Sequence, residues 1–550
     1  MVKKKSKSIN KKFIVLGIVV LIVGSVLIFE IINAPRLGKI NPVVSNNNEE
    51  MRLEELKEDV NQRRSETLDG FRADTDFERE RPSFEFVGNP AATLGEPGGR
   101  DCAVITQGFL DSLYGDLYLN FDSGCYEITE NVEFDYTIVL QGGDDNGYFT
   151  CNDYTIYPKT SAGEDGYGIY VYDNHHAKNC RVYGKLYGFV VVDNGKVSSS
   201  VADSGYYGFS IHSPNEGNTN NLAVNNEEEG FFVMDYGTLT NSESIDNRVG
   251  FYLSEYGEVY NSEARGNNYT GFNVLGFGQV AGSYAGGGSY GFRSKRDSYL
   301  VDCISSNNYV GFIAYDNSTI TESNSIGNYY GYIVSDSAEV YSSNAYDNEY
   351  HGFEIQGGYA RDCKSWGNDN GFEVDNNGYV SVCESYDNEY HGFVFYNGYF
   401  SDIKTYNNGY DGALMFWNSD GYNLETRNNG ASGVSVYGDS YVWGVEATGN
   451  GGYGISLTDN SVAGGVSYSL SSNGNGNGIY VGSDLGQGES SMLEGSGTVC
   501  YNDGYNIFVN GGTVVGEFKS TPIQGGGNWQ GATIIPCDQV SKKTKPYQHY

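Results

Sequence analysis

An octapeptide that carries both a carboxylate and an imidazole occurs twice in the sequence. The segment YDNEYHGF begins at residues 346 and 386, so that Glu349 and His351 recur as Glu389 and His391. Two carboxylates and two imidazoles on one surface could bind a divalent metal ion or a polar ligand. Copying of a repeat unit explains the same duplication without any site, so both interpretations stay open.

Tyrosine is unusually frequent, with 48 copies, and many of these residues precede a regularly spaced glycine. A column of exposed tyrosines suits stacking against sugar rings, because the side chain has an apolar face and a polar tip. Stacking of the tyrosines on one another is the alternative. The candidate ligand-binding tyrosines are Tyr330, Tyr350, Tyr390 and Tyr410.

These residues belong to a repeat that must position them. Between Gly168 and Gly454, a glycine followed by an aromatic or aliphatic residue returns about every twenty residues. A period of this length indicates a solenoid in which each coil contacts only its neighbours. A leucine-rich repeat would need a consensus that is missing here, and a propeller blade would need about twice the length.

Within each coil, the first and third residues after the glycine are apolar and the residue between them is mostly polar. This alternation predicts a strand with one buried face. Further apolar and small positions predict two more short strands, which makes three strands and three turns per coil. An asparagine recurs sixteen or seventeen positions after the glycine, and its amide could bond to the coils on either side. These asparagines are Asn247, Asn267, Asn307, Asn328, Asn348, Asn368, Asn388, Asn408, Asn428 and Asn450.

The coil GIYVYDNHHAKNCRVYG at Gly168–Gly184, preceded by CNDYTIYP, resembles the repeat of the pectin-lyase-like superfamily. It is similar in particular to the repeat-rich branch of archaeal and bacterial surface proteins and NosD-type copper-maturation proteins. The resemblance implies an all-β, right-handed parallel β-helix over residues 101–537, closed by a cap at each end.

The superfamily includes polysaccharide lyases and glycoside hydrolases, so the resemblance also implies that the chain could be an enzyme. Asp144 and Asp145 resemble the adjacent acids of polygalacturonases, but the companion motifs of those enzymes do not occur. A pectate-type lyase would need a calcium–carboxylate site beside a basic residue, and the one basic cluster is Arg293, Lys295 and Arg296. An enzyme therefore remains the alternative to a binding protein.

The N-terminal region predicts a membrane anchor. Residues 13–32 are apolar apart from one glutamate, which is long enough to span a bilayer as a helix. Six lysines in residues 1–12 predict a cytoplasmic N-terminus and an extracellular β-helix. A cleaved signal peptide is the alternative. Residues 33–100 are expected to form a linker with a short amphipathic helix at about 49–71, and residues 538–550 a disordered tail.

Nine cysteines in an exported chain suggest disulfides. The candidate pairs are Cys102–Cys125, Cys151–Cys180 and Cys500–Cys537. Cys303, Cys363 and Cys383 fall on a small inward position of the repeat. Two sequons, at Asn268 and Asn317, are candidate glycosylation sites.

The formal net charge of −36 disfavours nucleic-acid binding, because no basic stripe is available to contact phosphates. The sequence therefore predicts a membrane-anchored cell-surface β-helix for adhesion, glycan binding or envelope structure. The alternative is an extracellular polysaccharide lyase or glycoside hydrolase. The expected partners are the membrane and a polysaccharide or another surface protein. No cofactor is expected, apart from a divalent metal if the histidine pairs bind one.

Overall fold

The computed structural model describes residues 92–94, 102–121, 124–142, 147–160, 166–214, 217–482, 491–520, 523–525, 528–529 and 532–536. All of them belong to one compact unit, Val87–Tyr550. The predicted anchor 13–32, the helix 49–71 and the tail 538–550 lie outside the described residues, as do Asp144 and Asp145. Within the described residues, no helix has the length and apolar character needed to cross a membrane.

The described strands stack into three parallel sheets, so the predicted parallel β-helix is confirmed. Sheet 1 contains the glycine–aromatic motif and has 21 strands. Its strands are Ala92–Leu94, Leu117–Asn120, Ile138–Gln141, Tyr167–Val171, Tyr187–Val192, Tyr207–His212, Glu229–Val233, Val249–Leu253, Thr270–Leu275, Tyr290–Lys295, Val310–Tyr315, Tyr330–Ser335, His351–Gln356, Asn370–Asp375, Phe393–Tyr396, Ala413–Phe416, Val434–Val436, Tyr453–Leu457, Asn477–Gly482, Ile507–Asn510 and Ile523–Gly525.

Sheets 2 and 3 supply the other two strands of the coils from Leu117 to Tyr386, except that the coil of Gly208 contributes only the bridged residue Thr219 to sheet 2. Sheet 2 consists of Ala103–Val104, Cys125–Glu127, Tyr148–Thr150, His176–Lys178, Lys196–Ser198, Thr238–Thr240, Glu258–Tyr260, Gln279–Ala281, Tyr299–Val301, Thr319–Thr321, Glu339–Tyr341, Tyr359–Arg361 and Tyr379–Ser381. Sheet 3 consists of Val132–Glu133, Thr155–Tyr157, Arg181–Tyr183, Val201–Asp203, Leu222–Val224, Glu243–Ile245, Glu263–Arg265, Tyr284–Gly286, Ile304–Ser306, Asn324–Ile326, Asn344–Tyr346, Lys364–Trp366 and Glu384–Tyr386.

Three strands per coil hold only up to Tyr386. From Tyr399 onward the strands of sheets 2 and 3 run together into single long strands, which corrects the prediction for these coils. Tyr399–Tyr406 pairs with both preceding strands, Tyr379–Ser381 and Glu384–Tyr386. The long strands that follow are Asp420–Arg427, Tyr441–Thr448, Val462–Asn473, Met492–Cys500 and Thr513–Ser520, and the last of these pairs with Asn528–Trp529 and Thr533–Ile535.

The N-terminal entry contains a short α-helix, Gln107–Leu110. Thr106 is its N-cap, and the Thr106 hydroxyl accepts a hydrogen bond from the backbone N–H of Phe109. Leu110 is buried against the first coils. The helix therefore covers part of the apolar end of the solenoid.

A column of aromatic rings fills the interior behind sheet 1. Eleven rings, from Phe189 to Phe393, stack with centroids 4.5–4.9 Å apart and interplanar angles of 4–11°. The spacing equals the rise of about 4.8 Å per coil, so one ring per coil fills the column. Ala413, Val434 and Ile455 continue it as aliphatic residues, and all are buried.

Buried asparagines form a second column at the corner between sheets 3 and 1. The Nδ2 of Asn348 donates to Oδ1 of Asn368 at 2.9 Å, and the Nδ2 of Asn368 donates to Oδ1 of Asn388 at 3.3 Å. Each Oδ1 also accepts the backbone N–H of the asparagine in the preceding coil. The predicted amide ladder is therefore present.

Two members of the predicted ladder are wrong. Asn308 and Asn429 are the buried ladder residues, whereas Asn307 and Asn428 are exposed. Asn307 and Asn428 have positive φ values of 55° and 53°, a conformation that asparagine tolerates. Asn307 and Asn428 lie in the turn, and the residues that follow them, Asn308 and Asn429, point into the core.

The structure contains two of the predicted disulfides, Cys102–Cys125 and Cys151–Cys180. Cys500 is also disulfide-bonded, while its expected partner Cys537 lies outside the described residues. The three repeat cysteines, Cys303, Cys363 and Cys383, are buried free thiols as predicted. The sequon asparagines Asn268 and Asn317 are exposed.

Candidate functional site

The outer face of sheet 1 presents three columns of side chains. Residues one before, two after and four after the repeat glycine point away from the core, because side chains alternate along a strand. Two of these columns change in character between Tyr330 and Tyr437. The position two after the glycine is acidic in two adjacent coils, at Glu354 and Glu373, and the position four after it changes from Asp375 to the aromatic Tyr396, Phe416 and Tyr437. We define two parts of this surface, the carboxylate cluster and the aromatic rim.

The carboxylate cluster is formed by Glu354, Glu373 and Asp375. Glu354 and Glu373 are partners on adjacent strands, about 4.8 Å apart at Cα. Asp375 follows Glu373 by two residues on the same strand and therefore shares its face. Burial and the charges of Glu354 and Glu373 raise the pKa of Asp375 to about 6, and burial also raises the pKa of Glu354. The cluster thus contains a carboxyl group that titrates close to neutral pH.

His351 of the first octapeptide borders this cluster. Its side chain is 3% exposed, and Nε2 lies 3.0 Å from Oε2 of Glu373. Asn370 Oδ1 accepts a hydrogen bond from the backbone N–H of His391. The same side-chain amide therefore presents its Nδ2 to His351, and Nδ2 lies 3.4 Å from Nδ1 of the imidazole. An amide donor at Nδ1 places the imidazole proton on Nε2, where it is donated to Glu373.

His391 of the second octapeptide has different surroundings. Its Nδ1 accepts the backbone N–H of Asp411 at 3.3 Å, and Leu414 occupies the position that corresponds to Glu373. Burial lowers the pKa of His391 and raises the pKa of Asp411. The two copies of the octapeptide therefore do not form equivalent sites. In the described part of the chain, no group of three or more His, Cys, Asp or Glu side chains is arranged to hold a metal ion.

The aromatic rim follows the cluster along the same column. Tyr396 pairs in register with Asp375, and Phe416 pairs with Tyr396. The rings of Tyr396, Phe416 and Tyr437 stack at 5.4 and 5.1 Å. Trp417 is 63% exposed and inclined by 36° and 42° to Tyr396 and Phe416. The Trp417 indole therefore offers an apolar surface to a ligand two coils, or about 10 Å along the axis, from Asp375.

The predicted tyrosines divide into two pairs. Tyr350 contacts His351, with ring centroids 3.8 Å apart, and Tyr330 meets Tyr350 edge to face at 5.2 Å. Tyr390 and Tyr410 stack on each other at 5.5 Å and are 40% and 52% exposed. Only the first pair lies against the carboxylate cluster.

The octapeptide glutamates lie elsewhere. Glu349 and Glu389 are exposed and line, with Asp369, an open depression of ≈ 720 Å³ at the corner between sheets 3 and 1. A smaller depression of ≈ 370 Å³ lies on sheet 3 beside Lys404 and Arg427. Neither of these two depressions contains the carboxylate cluster.

The basic cluster does not meet the acidic one. Arg293, Lys295 and Arg296 belong to a coil three steps before that of Glu354, about 14 Å away along the axis. Lys295 pairs instead with Asp316 at 3.5 Å. A pectate-type lyase needs a basic residue beside its carboxylates. Arg293, Lys295 and Arg296 do not lie beside the carboxylate cluster and therefore do not meet this requirement.

Replacing Asp375 with asparagine should stabilise the β-helix at pH 7 but not at pH 4. Because the folded pKa is raised from 3.8 to about 6, the folded state holds this proton more tightly, and stability falls as pH rises from 4 to 6. A pKa change of this size corresponds to about 3 kcal/mol, which partial exposure reduces to about 1 kcal/mol. Thermal unfolding at both pH values measures the difference. The exposed Asp387→Asn is the control, and equal effects of the two variants would contradict the prediction.

Neither a protein-family model nor a curated protein matches this sequence. Three solved structures are similar to it: a variant of the periplasmic alginate epimerase AlgG, the Azotobacter vinelandii mannuronan C-5 epimerase AlgE6 A-module and the bacteriophage CBA120 tailspike protein 3. They are 10%, 11% and 11% identical, cover 71%, 78% and 79% of this chain and 79%, 94% and 59% of their own, and have TM-scores of 0.22, 0.14 and 0.14.

These neighbours are pectin-lyase-like right-handed parallel β-helix proteins. This chain is a parallel β-helix. Its assignment depends on its own strand pairings, since identities and TM-scores this low say nothing about its substrate or reaction.

Proposed function

We propose that this chain is a membrane-anchored cell-surface protein that binds a neutral polysaccharide on the outer face of sheet 1. The observation that supports this is the exposed indole of Trp417, which lies next to Tyr396, the register partner of Asp375 in the carboxylate cluster. Aromatic rings cover the apolar faces of sugars, and carboxylates accept hydrogen bonds from sugar hydroxyls. The run of coils from His351 to Tyr437 provides both along one line.

A neutral glycan fits this surface better than an anionic one. The net charge of −36 and the carboxylates at the site repel uronates and sulfated sugars. The aromatic rim extends over three successive coils, at Tyr396, Phe416 and Tyr437, which favours binding along an extended chain rather than enclosure of a single sugar. Stacking over several coils would then supply the affinity.

The disulfides support export of the β-helix. Cys102–Cys125 and Cys151–Cys180 are bonded, and such bonds persist in oxidising compartments outside the cytosol. The apolar segment 13–32 with its N-terminal lysines would hold the chain in the membrane. Protease treatment of intact cells tests this topology: digestion of the β-helix supports it, and complete protection contradicts it.

Affinity electrophoresis through gels of neutral and anionic polysaccharides tests the binding. We expect at least one neutral polysaccharide to retard the full chain and the anionic ones not to do so at low salt. Retardation by anionic polymers only would contradict the choice of ligand. Free migration through every gel would contradict glycan binding itself.

Hydrolysis of the bound glycan is a second candidate function, because of Asp375. One oxygen of its carboxyl group, Oδ1, is buried and has no hydrogen-bond partner among the described residues. With a pKa of about 6, Asp375 can donate a proton, while Glu373 stays beside His351. Carboxyl groups on neighbouring positions of one face are about 5–7 Å apart, a range that overlaps the spacings used by glycosidases.

Release of reducing ends from the bound polysaccharide distinguishes the two functions. A hydrolase should lose product formation in both Glu373→Gln and Asp375→Asn while retaining the polysaccharide on the gel. Binding by the wild type without any product would exclude this second candidate and leave the first.

A further inference from the structure

A serine, a histidine and an aspartate form a connected chain on another part of sheet 1. Ser210 and His212 point outward from the strand Tyr207–His212, since Phe209 and Ile211 between them are buried. Ser210 Oγ lies 2.9 Å from Nε2 of His212, and Nδ1 of His212 lies 3.2 Å from Oδ2 of Asp235. This connectivity places a nucleophile, a base and an orienting carboxylate in order.

The aspartate determines which imidazole nitrogen is available to the serine. A carboxylate at Nδ1 holds the proton there, so Nε2 has a free lone pair that accepts the Ser210 hydroxyl proton. The side chain of His212 is 27% exposed and that of Asp235 is 38% exposed. The base is therefore fixed by its neighbours while remaining open to solvent.

The surface around Ser210 is apolar. Val190 and Phe232 are its register partners on either side. Val190 belongs to a patch with Val139 and Tyr170, and Tyr170 stacks on Tyr172 at 4.5 Å. Val139, Tyr170 and Val190 are only 2%, 7% and 7% exposed, and Ser210 is 5% exposed. An acyl chain or an aromatic acid would therefore pack against the partly exposed ring of Phe232 as its carbonyl carbon approaches Ser210.

This group of residues is separate from the carboxylate cluster. The coil of Ser210 is seven steps before that of Glu354, about 34 Å along the axis. In the part of the chain that the structure describes, no ring contact joins it to the aromatic rim. A reaction here would therefore be independent of glycan binding.

We propose that Ser210, His212 and Asp235 form a nucleophilic site that hydrolyses carboxylic esters with apolar acyl groups. Ser210 Oγ attacks the carbonyl carbon as its proton moves to Nε2 of His212. The ester C–O bond breaks, and the alcohol leaves with that proton. Water then attacks the acyl-serine, again losing a proton to His212, which returns one to Ser210 Oγ, so that ester and water become acid and alcohol.

The rate should be modest. The backbone amides of Val190, Ser210 and Phe232 take part in the sheet, so they do not form the paired donors that usually stabilise an oxyanion. Loss of one such donor costs about 10²–10³-fold in rate in serine hydrolases. Activated esters and covalent probes are therefore the appropriate substrates.

The test uses the purified full chain, p-nitrophenyl butyrate and a fluorophosphonate probe with mass-spectrometric mapping. We expect the probe on Ser210, and we expect Ser210→Ala to lose both labelling and hydrolysis. His212→Ala should lower hydrolysis by at least about 100-fold. Asp235→Asn should slow labelling and shift its pH profile, which a merely structural role would not do.

Ser456→Ala is the matched control, because Ser456 occupies the equivalent outward position, two residues after its glycine, with Thr458 where His212 would be. It should label and hydrolyse as the wild type does. Absence of a label on Ser210, or equal hydrolysis by Ser210→Ala and the wild type, would overturn the proposal. Unchanged circular dichroism of Ser210→Ala confirms that the loss is chemical.

Discussion

Replacement of Asn348 with leucine is expected to open the centre of the β-helix. Asn348 is 2% exposed, and its Oδ1 accepts hydrogen bonds from the backbone N–H of Asn328 at 3.1 Å and from Ser325 Oγ at 3.2 Å. Its Nδ2 donates to Asn368 Oδ1 at 2.9 Å. Leucine would leave the backbone N–H of Asn328 buried and unpaired, at about 1–3 kcal/mol, and would remove one hydrogen bond each from Ser325 Oγ and Asn368 Oδ1, at about 1 kcal/mol each. We therefore expect a loss of about 4 kcal/mol.

Hydrogen exchange is the appropriate measurement, because a long solenoid does not unfold in one two-state step. Backbone amides in the coils next to residue 348 should exchange much faster, and those of distant coils should change little. Asn344→Leu is the matched control: it lies in the same coil but points outward from sheet 3. Equal protection in the two variants would contradict a stabilising role of the ladder.

Replacement of Trp417 with alanine should weaken polysaccharide binding about 10–100-fold. Stacking of a ring on an exposed aromatic side chain contributes about 1–3 kcal/mol in comparable recognition surfaces, and tryptophan is the commonest dominant residue at binding sites. Trp417 is 63% exposed, so its removal should cost little stability. Affinity electrophoresis in the polysaccharide that binds the wild type measures the effect.

Trp366→Ala provides the control for this prediction. Trp366 is on sheet 3, where Tyr346 and Tyr386 cover its two faces at 4.6 and 5.5 Å. Loss of the Trp366 ring should destabilise this aromatic stack. The glycan affinity should stay within about 2-fold of the wild-type value, because both faces of the ring are covered by tyrosines. If the two variants lose affinity equally, the site is not on sheet 1.

The repeat determined most of the fold in advance. The alternation after each glycine identified the inward column from Phe189 to Phe393, and the small inward positions identified the three buried thiols. The ladder was uncertain only where two asparagines are adjacent, as in Asn307-Asn308. The local bend of the backbone decides which of the two asparagines faces inward. Asparagine tolerates the left-handed conformation of the turn at either position, so the sequence does not distinguish them.

The candidate site was harder to predict, because it depends on register between coils. Glu354 and Glu373 are nineteen residues apart in sequence, and only the pairing of their strands brings them together. The octapeptide predicted a site at Glu349 and Glu389. These glutamates instead lie in turns and line the depression at the corner between sheets 3 and 1, away from the carboxylate cluster. The residues two and four positions after each glycine face outward. An alignment of these positions from coil to coil would have identified the acidic residues of the cluster, as alignment of the inward positions identified the core.

Trp417 had a readable signal that the sequence interpretation missed. It occupies the fifth position after its glycine, a turn position with positive φ. Other coils have aspartate or asparagine there, namely Asp316, Asp336, Asn376 and Asn397. A large apolar residue in place of these is unfavourable for the turn, which suggests that it serves a contact outside the fold.

A structure of the β-helix with a bound neutral oligosaccharide, chosen from the polysaccharide that retards the chain, tests the central claim most directly. We predict sugar rings packed against Trp417 and Tyr396, with hydroxyls donating to Glu373 or Asp375. An oligosaccharide bound on sheet 2 or sheet 3, or in the depression beside Glu349 and Glu389, would contradict the proposed glycan-binding face.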